Sequence, residues 1–67
     1  MNATLPTVIK TRNILHRATL HETGPKITEE QYIRMPDGSI SVAQFWRHDS
    51  GKLVRVTQRS LSDGETI

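Results

Sequence analysis

The chain has 67 residues, 34% of them hydrophobic, no cysteine and a formal net charge of +2. A chain of this length makes one small domain that buries about 60% of its unfolded surface, and without cysteine it has no disulfide to stabilise the result. The small size leaves little room for the substrate pocket of an enzyme. It also predicts a homo-oligomer, because an interface between copies supplies apolar burial that a single copy lacks.

No stretch of the sequence approaches the roughly 20 apolar residues that span a bilayer, and the first residues lack the apolar segment of a signal peptide. We therefore expect no membrane contact and a cytoplasmic location. The absence of cysteine agrees with a reducing compartment.

The N-terminal part of the chain has only weak patterns. Residues 1–6 contain nothing that would hold them in a fold, so we expect them to be flexible. Val8 and Ile9 predict a short edge strand over residues 7–10. Residues 12–22 fit two interpretations, a helix that ends at Gly24 or a strand, which the interspersed threonines slightly favour.

Residues 27–31 contain a helix-start signature. The Thr28 hydroxyl and the Gln31 amide are spaced for a capping box, while Pro36 limits any helix there to about two turns. We expect a capped turn followed by a strand from about Tyr32. A strand that reaches back to Ile27 is the competing interpretation.

Residues 32–59 have the clearest pattern, three antiparallel strands joined by two turns. Both turns end in glycine after an aspartate-containing stretch, which is typical of three-residue loops with glycine in the left-handed position. The loops are Pro36-Asp37-Gly38 and Asp49-Ser50-Gly51, and the pairs that they set are Met35 with Ser39 and His48 with Lys52.

Counting outward from these turns distributes the side chains over two faces. One face is predicted to carry Tyr32, Ile40, Val42, Gln44, Trp46, Val54 and Val56. The other is predicted to carry Ile33, Met35, Ala43, Phe45, Arg47, Leu53, Arg55, Thr57 and Arg59. Both faces hold apolar residues, so each needs a cover, and the rest of the chain can cover only one. A two-residue Ser50-Gly51 turn would instead move Trp46 opposite Arg55.

These patterns predict a mainly β fold, a small antiparallel meander or partly closed barrel of four to five strands in a single domain spanning residues 1–67. The alternative is an α+β fold in which a helix near residues 12–22 packs on a three-stranded antiparallel sheet. The polar, glycine-containing segment from about residue 60 is predicted to be a flexible tail.

No group of residues has the spacing of a metal site or a catalytic site. His16 and His21 fall on different faces of a helix and on opposite faces of a strand, so they cannot share one ion. His48, Asp49 and Ser50 are consecutive in a turn and cannot converge as base, orienting group and nucleophile. We expect a non-enzymatic protein with no metal and no cofactor.

The strongest functional pattern is a basic and aromatic cluster on the second hairpin. Its members are Phe45, Arg47, Lys52, Arg55 and Arg59. Sheets that bind nucleic acid use aromatic rings to stack on bases and arginines to contact phosphate or to stack. The sequence therefore predicts a protein that binds DNA or RNA through this hairpin.

A protein partner is the alternative. The same apolar and arginine residues are enriched where proteins bind each other. A small modulator or inhibitor, such as a phage or mobile-element accessory protein, could cap a surface of a larger protein through Met35, Phe45, Trp46 and Leu53.

Overall fold

The computed structural model describes residues 5–14 and 24–67. They form one open antiparallel sheet whose strands lie side by side in chain order. The strands are β1 (Thr7–Asn13), β2 (Lys26–Arg34), β3 (Ile40–Arg47) and β4 (Leu53–Ser60). This confirms the mainly β fold and the antiparallel meander. The described residues contain no helix, and therefore no helix long and apolar enough to cross a membrane.

The N-terminal edge strand is longer than the sequence predicts. β1 continues through Asn13 and pairs with β2 as far as Glu29. Of the ambiguous segment 12–22, residues 12 and 13 are therefore strand, while residues 15–22 lie outside the described residues.

Both predicted turns have the expected length. The Met35 amide donates to the Ser39 carbonyl at 2.8 Å, and the His48 amide donates to the Lys52 carbonyl at 3.0 Å. The glycine that ends each loop has a positive φ, 89° at Gly38 and 90° in the second loop, a conformation that costs a residue with a Cβ far more than glycine. The two three-residue loops are confirmed.

Beyond the second turn the pairing shifts by one residue. Arg47 pairs with Leu53 but Trp46 pairs with Arg55, so Val54 forms a β-bulge. Because one extra residue sends every later side chain to the opposite side of a strand, the predicted faces of β4 are wrong from Arg55 onward. Trp46 does lie opposite Arg55, but the cause is a bulge and not a two-residue turn.

The predicted capping box is also wrong. β2 begins at Lys26 and pairs with β3 along its length, with a second bulge between Ile27 and Glu29. The Thr28 hydroxyl donates to the carbonyl of Phe45 at 3.5 Å instead of capping a helix. Pairing with a neighbouring strand satisfies the backbone groups here, so the tertiary context overrides a local helix signal.

The register assigns side chains to two faces, which we call the Trp46 face and the Phe45 face. The Trp46 face includes Lys10, Arg12, Glu30, Tyr32, Arg34, Val42, Gln44, Trp46, Arg55, Thr57 and Arg59. The Phe45 face includes Val8, Thr11, Lys26, Glu29, Gln31, Ile33, Ala43, Phe45, Arg47, Leu53, Val56 and Gln58.

The core of this sheet is thin. Among the described residues only Tyr32, Val42 and Ala43 are buried apolar side chains. The structure extends over 52 × 27 × 15 Å and its radius of gyration is 14.4 Å, whereas a compact domain of 67 residues has a radius of about 11 Å. The described strands thus form one layer, although stable domains bury a sheet face against a second layer.

Candidate nucleic-acid interface

The structure divides the cluster predicted from the sequence between two faces. Phe45 and Arg47 lie on the Phe45 face, whereas Arg55 and Arg59 lie on the Trp46 face, because Val54 shifts the register of β4. Lys52 lies in the turn before β4. The prediction that all these residues except Lys52 share one face is wrong.

The residues of the alternative protein-binding set are divided in the same way. Phe45 and Leu53 lie on one face, and Met35, two residues beyond Ile33, belongs to the same side. Trp46 lies on the other side, paired with Arg55.

The Trp46 face has an arginine stacked on its tryptophan. The guanidinium carbon of Arg55 lies 4.2 Å from the centroid of the Trp46 ring, within the range of a cation–π contact. Trp46 is half-buried and Arg55 is exposed. The indole N–H donates to Thr57 Oγ1 at 2.9 Å, which fixes the ring against β4.

Polar contacts continue from Trp46 across the face. Thr57 Oγ1 lies 3.4 Å from Gln44 Oε1, and Gln44 Nε2 donates to Glu30 Oε2 at 2.9 Å. The Glu30 residue is 5% exposed. A carboxylate at that depth needs charged partners, and Arg12 and Arg59 approach it at 3.3 and 3.8 Å. No buried side-chain nitrogen or oxygen in residues 5–14 and 24–67 lacks a hydrogen-bond partner.

Arg59 also holds the C-terminal segment. Its two terminal nitrogens donate to the two carboxylate oxygens of Glu65 at 2.7 and 2.9 Å. The amide of Ser62 donates to the same carboxylate at 3.0 Å. The hydrogen bonds between Arg59 and Glu65 lower the pKa of Glu65 to about 2. The same bonds raise the pKa of Arg59. The tail predicted from about residue 60 therefore has an anchoring contact at Glu65, while its flexibility stays a prediction.

Positive charge is concentrated on the Trp46 face. Of the eight Lys and Arg residues in the described part of the chain, five lie there: Lys10, Arg12, Arg34, Arg55 and Arg59. Glu30 is the one carboxylate that the strands place on this face, and Glu65 reaches Arg59 from the C-terminal segment. The Phe45 face carries Glu29 and Arg47, which lie 3.9 Å apart, and Lys26, which lies 3.3 Å from the Asp49 carboxylate, so its charges are paired.

A cavity of about 300 Å³ lies where β2 and β3 meet the second turn. It is lined by Ile14, Lys26, Thr28, Arg47, His48, Asp49 and Gly51. Within the described ranges no three His, Cys, Asp or Glu side chains converge as metal ligands. His16 and His21, whose spacing argues against a shared metal ion, lie outside the described residues.

The structure brings three further residues to the Trp46 face that were not part of the predicted binding cluster. Lys10 and Arg12 reach the Trp46 face through the pairing of β1 with β2, a contact between segments far apart in sequence. Trp46 enters the site through the bulge at Val54. The signal for Trp46 was present in the sequence as the alternative register that places it opposite Arg55.

Comparisons of the chain with models of known protein families, with curated proteins and with solved structures found no match.

Proposed function

We propose that the protein is a non-enzymatic binding protein that holds single-stranded nucleic acid on its Trp46 face. The observation that carries this proposal is the exposed Arg55 guanidinium stacked on Trp46 within a face that bears five cationic side chains. Such a face offers both a surface for bases and charges for phosphates.

Stacking on Arg55 needs no rearrangement of Trp46. Single-stranded bases stack on aromatic rings or on the plane of an arginine guanidinium. Here the indole supports one side of the guanidinium, and the other side faces solvent because Arg55 is exposed. Each stacked base contributes about 1 to 3 kcal/mol, a large share of the affinity of a surface this small.

Electrostatics favour a strand that crosses the sheet. Arg12 on β1 and Arg55 on β4 belong to opposite edges of the four-stranded sheet, and the side chain of Arg12 is 58% exposed. When a chain of phosphates passes between them, the arginines neutralise phosphates and release the counterions condensed on the nucleic acid. On the Phe45 face Arg47 is paired with Glu29 and Lys26 with Asp49, so that face provides no such path.

Fluorescence anisotropy with labelled single-stranded DNA, single-stranded RNA and duplex DNA tests the proposal. We expect the single strands to bind more tightly than the duplex, with affinity falling as salt rises by about 0.7 logarithmic units per phosphate contact and decade of salt. The preference between DNA and RNA comes from the same titration. Absence of binding to every probe at low salt would end the proposal.

Three arginine variants locate the site. Arg55→Ala should weaken binding and reduce the salt slope, whereas Arg55→Lys keeps the charge and should weaken binding while leaving the slope unchanged, because lysine lacks the planar guanidinium. Arg47→Ala is the matched control, since it removes the same group from the Phe45 face. If Arg47→Ala weakens binding as much as Arg55→Ala, the assignment to the Trp46 face is incorrect.

A further inference from the structure

We infer that the Phe45 face is an interface between two copies of this chain. Ala43 at its centre is buried and Phe45 is half-buried, but three of its apolar side chains on the edge strands are exposed. Val8, Leu53 and Val56 are 51%, 45% and 47% exposed, although each lies in a strand. The inference concerns a different face from the proposed nucleic-acid site and does not depend on it.

The arrangement of side chains on the Phe45 face suits an interface. Phe45 pairs with Val56 at one end, and Val8 pairs with Ile33 at the other. The row between them is uncharged: Thr11, Gln31 and Gln58 are polar and Ala43 is apolar. Interfaces combine apolar anchors with neutral polar groups and are depleted of charge in their centre.

The charges of the Phe45 face favour a second copy as the occupant over a strongly charged partner. In a twofold dimer each face meets itself, so a face with net charge repels its own copy. The five cations of the Trp46 face therefore exclude it as the surface on which two copies meet. On the Phe45 face Glu29 and Arg47 form a neutral pair 3.9 Å apart, and Lys26, which pairs with Arg47 in the ladder, is neutralised by Asp49 at 3.3 Å. In a twofold arrangement each charged group can also face its opposite in the other copy.

The surface area agrees with one partner per chain. The chain exposes 5311 Å², whereas a compact protein of 7.6 kDa exposes about 4,300 Å². The excess of about 1,000 Å² is close to the 800 Å² or so that each partner buries in a standard interface. Packing two sheets about 10 Å apart would also give each sheet the second layer that it lacks.

Sedimentation equilibrium of the nuclease-treated protein across the micromolar range tests the interface. We expect the wild-type chain to sediment as a dimer. Val56→Lys introduces a charge into the interface twice, once from each copy, and should raise the dissociation constant by about tenfold or more. Leu5→Lys is the control, because Leu5 is 76% exposed and precedes β1, and it should leave the dimer intact.

A second variant and a folding control distinguish loss of the dimer from loss of the fold. Leu53→Lys changes the first residue of β4 on the same face and should also weaken the dimer, and circular dichroism verifies that each variant keeps its strands. A monomeric wild-type protein would overturn the inference. So would a dimer that survives both Val56→Lys and Leu53→Lys, or one that Leu5→Lys dissociates as readily. Purification of the chain bound to a different protein in place of a second copy would overturn it as well.

Discussion

Trp46 lies directly opposite Arg55 across β3 and β4, although the turn that joins these strands pairs His48 with Lys52. The bulge at Val54 accounts for the difference of one residue. It places the Arg55 guanidinium 4.2 Å from the indole centroid and leaves Phe45 opposite Val56 on the other side. One inserted residue thus separates a face rich in cations from a face whose charged side chains are paired.

The shifted register can be tested by an engineered disulfide, since the chain has no cysteine. Ala43 pairs with Gln58. The Leu61 amide bonds to the Ile40 carbonyl, so counting along the ladder makes Ala43–Gln58 a non-hydrogen-bonded pair, whose side chains lie closest. The double variant Ala43→Cys, Gln58→Cys should oxidise to a disulfide and gain about 3 kcal/mol of stability from closing a loop of about 15 residues.

Thr57 supplies the control for this disulfide. A ladder without the bulge would pair Ala43 with Thr57, so Ala43→Cys, Thr57→Cys should stay reduced if the bulge is present. Thiol titration and mass spectrometry distinguish the two states. Oxidation of the Thr57 pair in preference to the Gln58 pair would show that β4 lies in the unshifted register.

The turns could be predicted from the sequence because their chemistry is local. Gly38 and Gly51 supply the positive φ that each loop requires. The bulge at Val54 has no such signature, since the residues around it suit either register. Its position depends on the contacts of Trp46 with Arg55 and Thr57, which form only after the strands have paired.

The error over residues 27–31 has a similar origin. Thr28 and Gln31 satisfy a local rule for helix starts, but the backbone from Lys26 pairs with β3 over most of its length. Contacts between segments distant in sequence also bring Arg12 beside Glu30. The sequence therefore predicted the fold class and the hairpin, while the membership of each face depended on long-range pairing.

Replacing Thr57 by valine should destabilise the Trp46 face. The Thr57 hydroxyl accepts from the Trp46 indole at 2.9 Å and lies 3.4 Å from the Gln44 carbonyl oxygen. Thr57→Val keeps the shape but leaves both groups without this partner, which costs about 1 to 2 kcal/mol. Urea unfolding followed by tryptophan fluorescence measures the loss.

Thr57→Ser is the matched control because it retains the hydroxyl and should recover most of the stability. Valine favours strands more than serine does, so strand propensity alone would rank these variants in the opposite order. A valine variant as stable as the wild type would show that the hydroxyl contributes nothing to the fold.

The contact between Arg59 and Glu65 should depend on pH. Hydrogen bonds from Arg59 hold the pKa of Glu65 at about 2, below its ordinary value of 4.5. A carboxyl group whose pKa is lowered by folding stabilises the folded state above its unfolded pKa, and the contribution disappears as pH falls toward the folded pKa. The C-terminal segment should therefore release between about pH 4.5 and 2, as measured by an NMR titration of the Glu65 carboxyl. A midpoint near 4.5 would contradict the contact.

Glu65 should also compete with nucleic acid for Arg59. Its carboxylate engages the guanidinium through two parallel hydrogen bonds, the geometry in which arginine binds a phosphate group. Glu65→Gln removes the competing charge and should strengthen binding of single-stranded nucleic acid by about two- to fivefold, the scale of one exposed ion pair.

Asp63→Asn provides the charge-matched comparison, since Asp63 is exposed and lies two residues before Glu65. Anisotropy titrations at one salt concentration should show a larger gain for Glu65→Gln than for Asp63→Asn, because only the first frees Arg59. Equal gains would mean that the effect is general electrostatics. If the wild-type protein binds and Glu65→Gln brings no gain at all, Arg59 does not contact phosphate, and the remaining cations of the Trp46 face must account for the affinity.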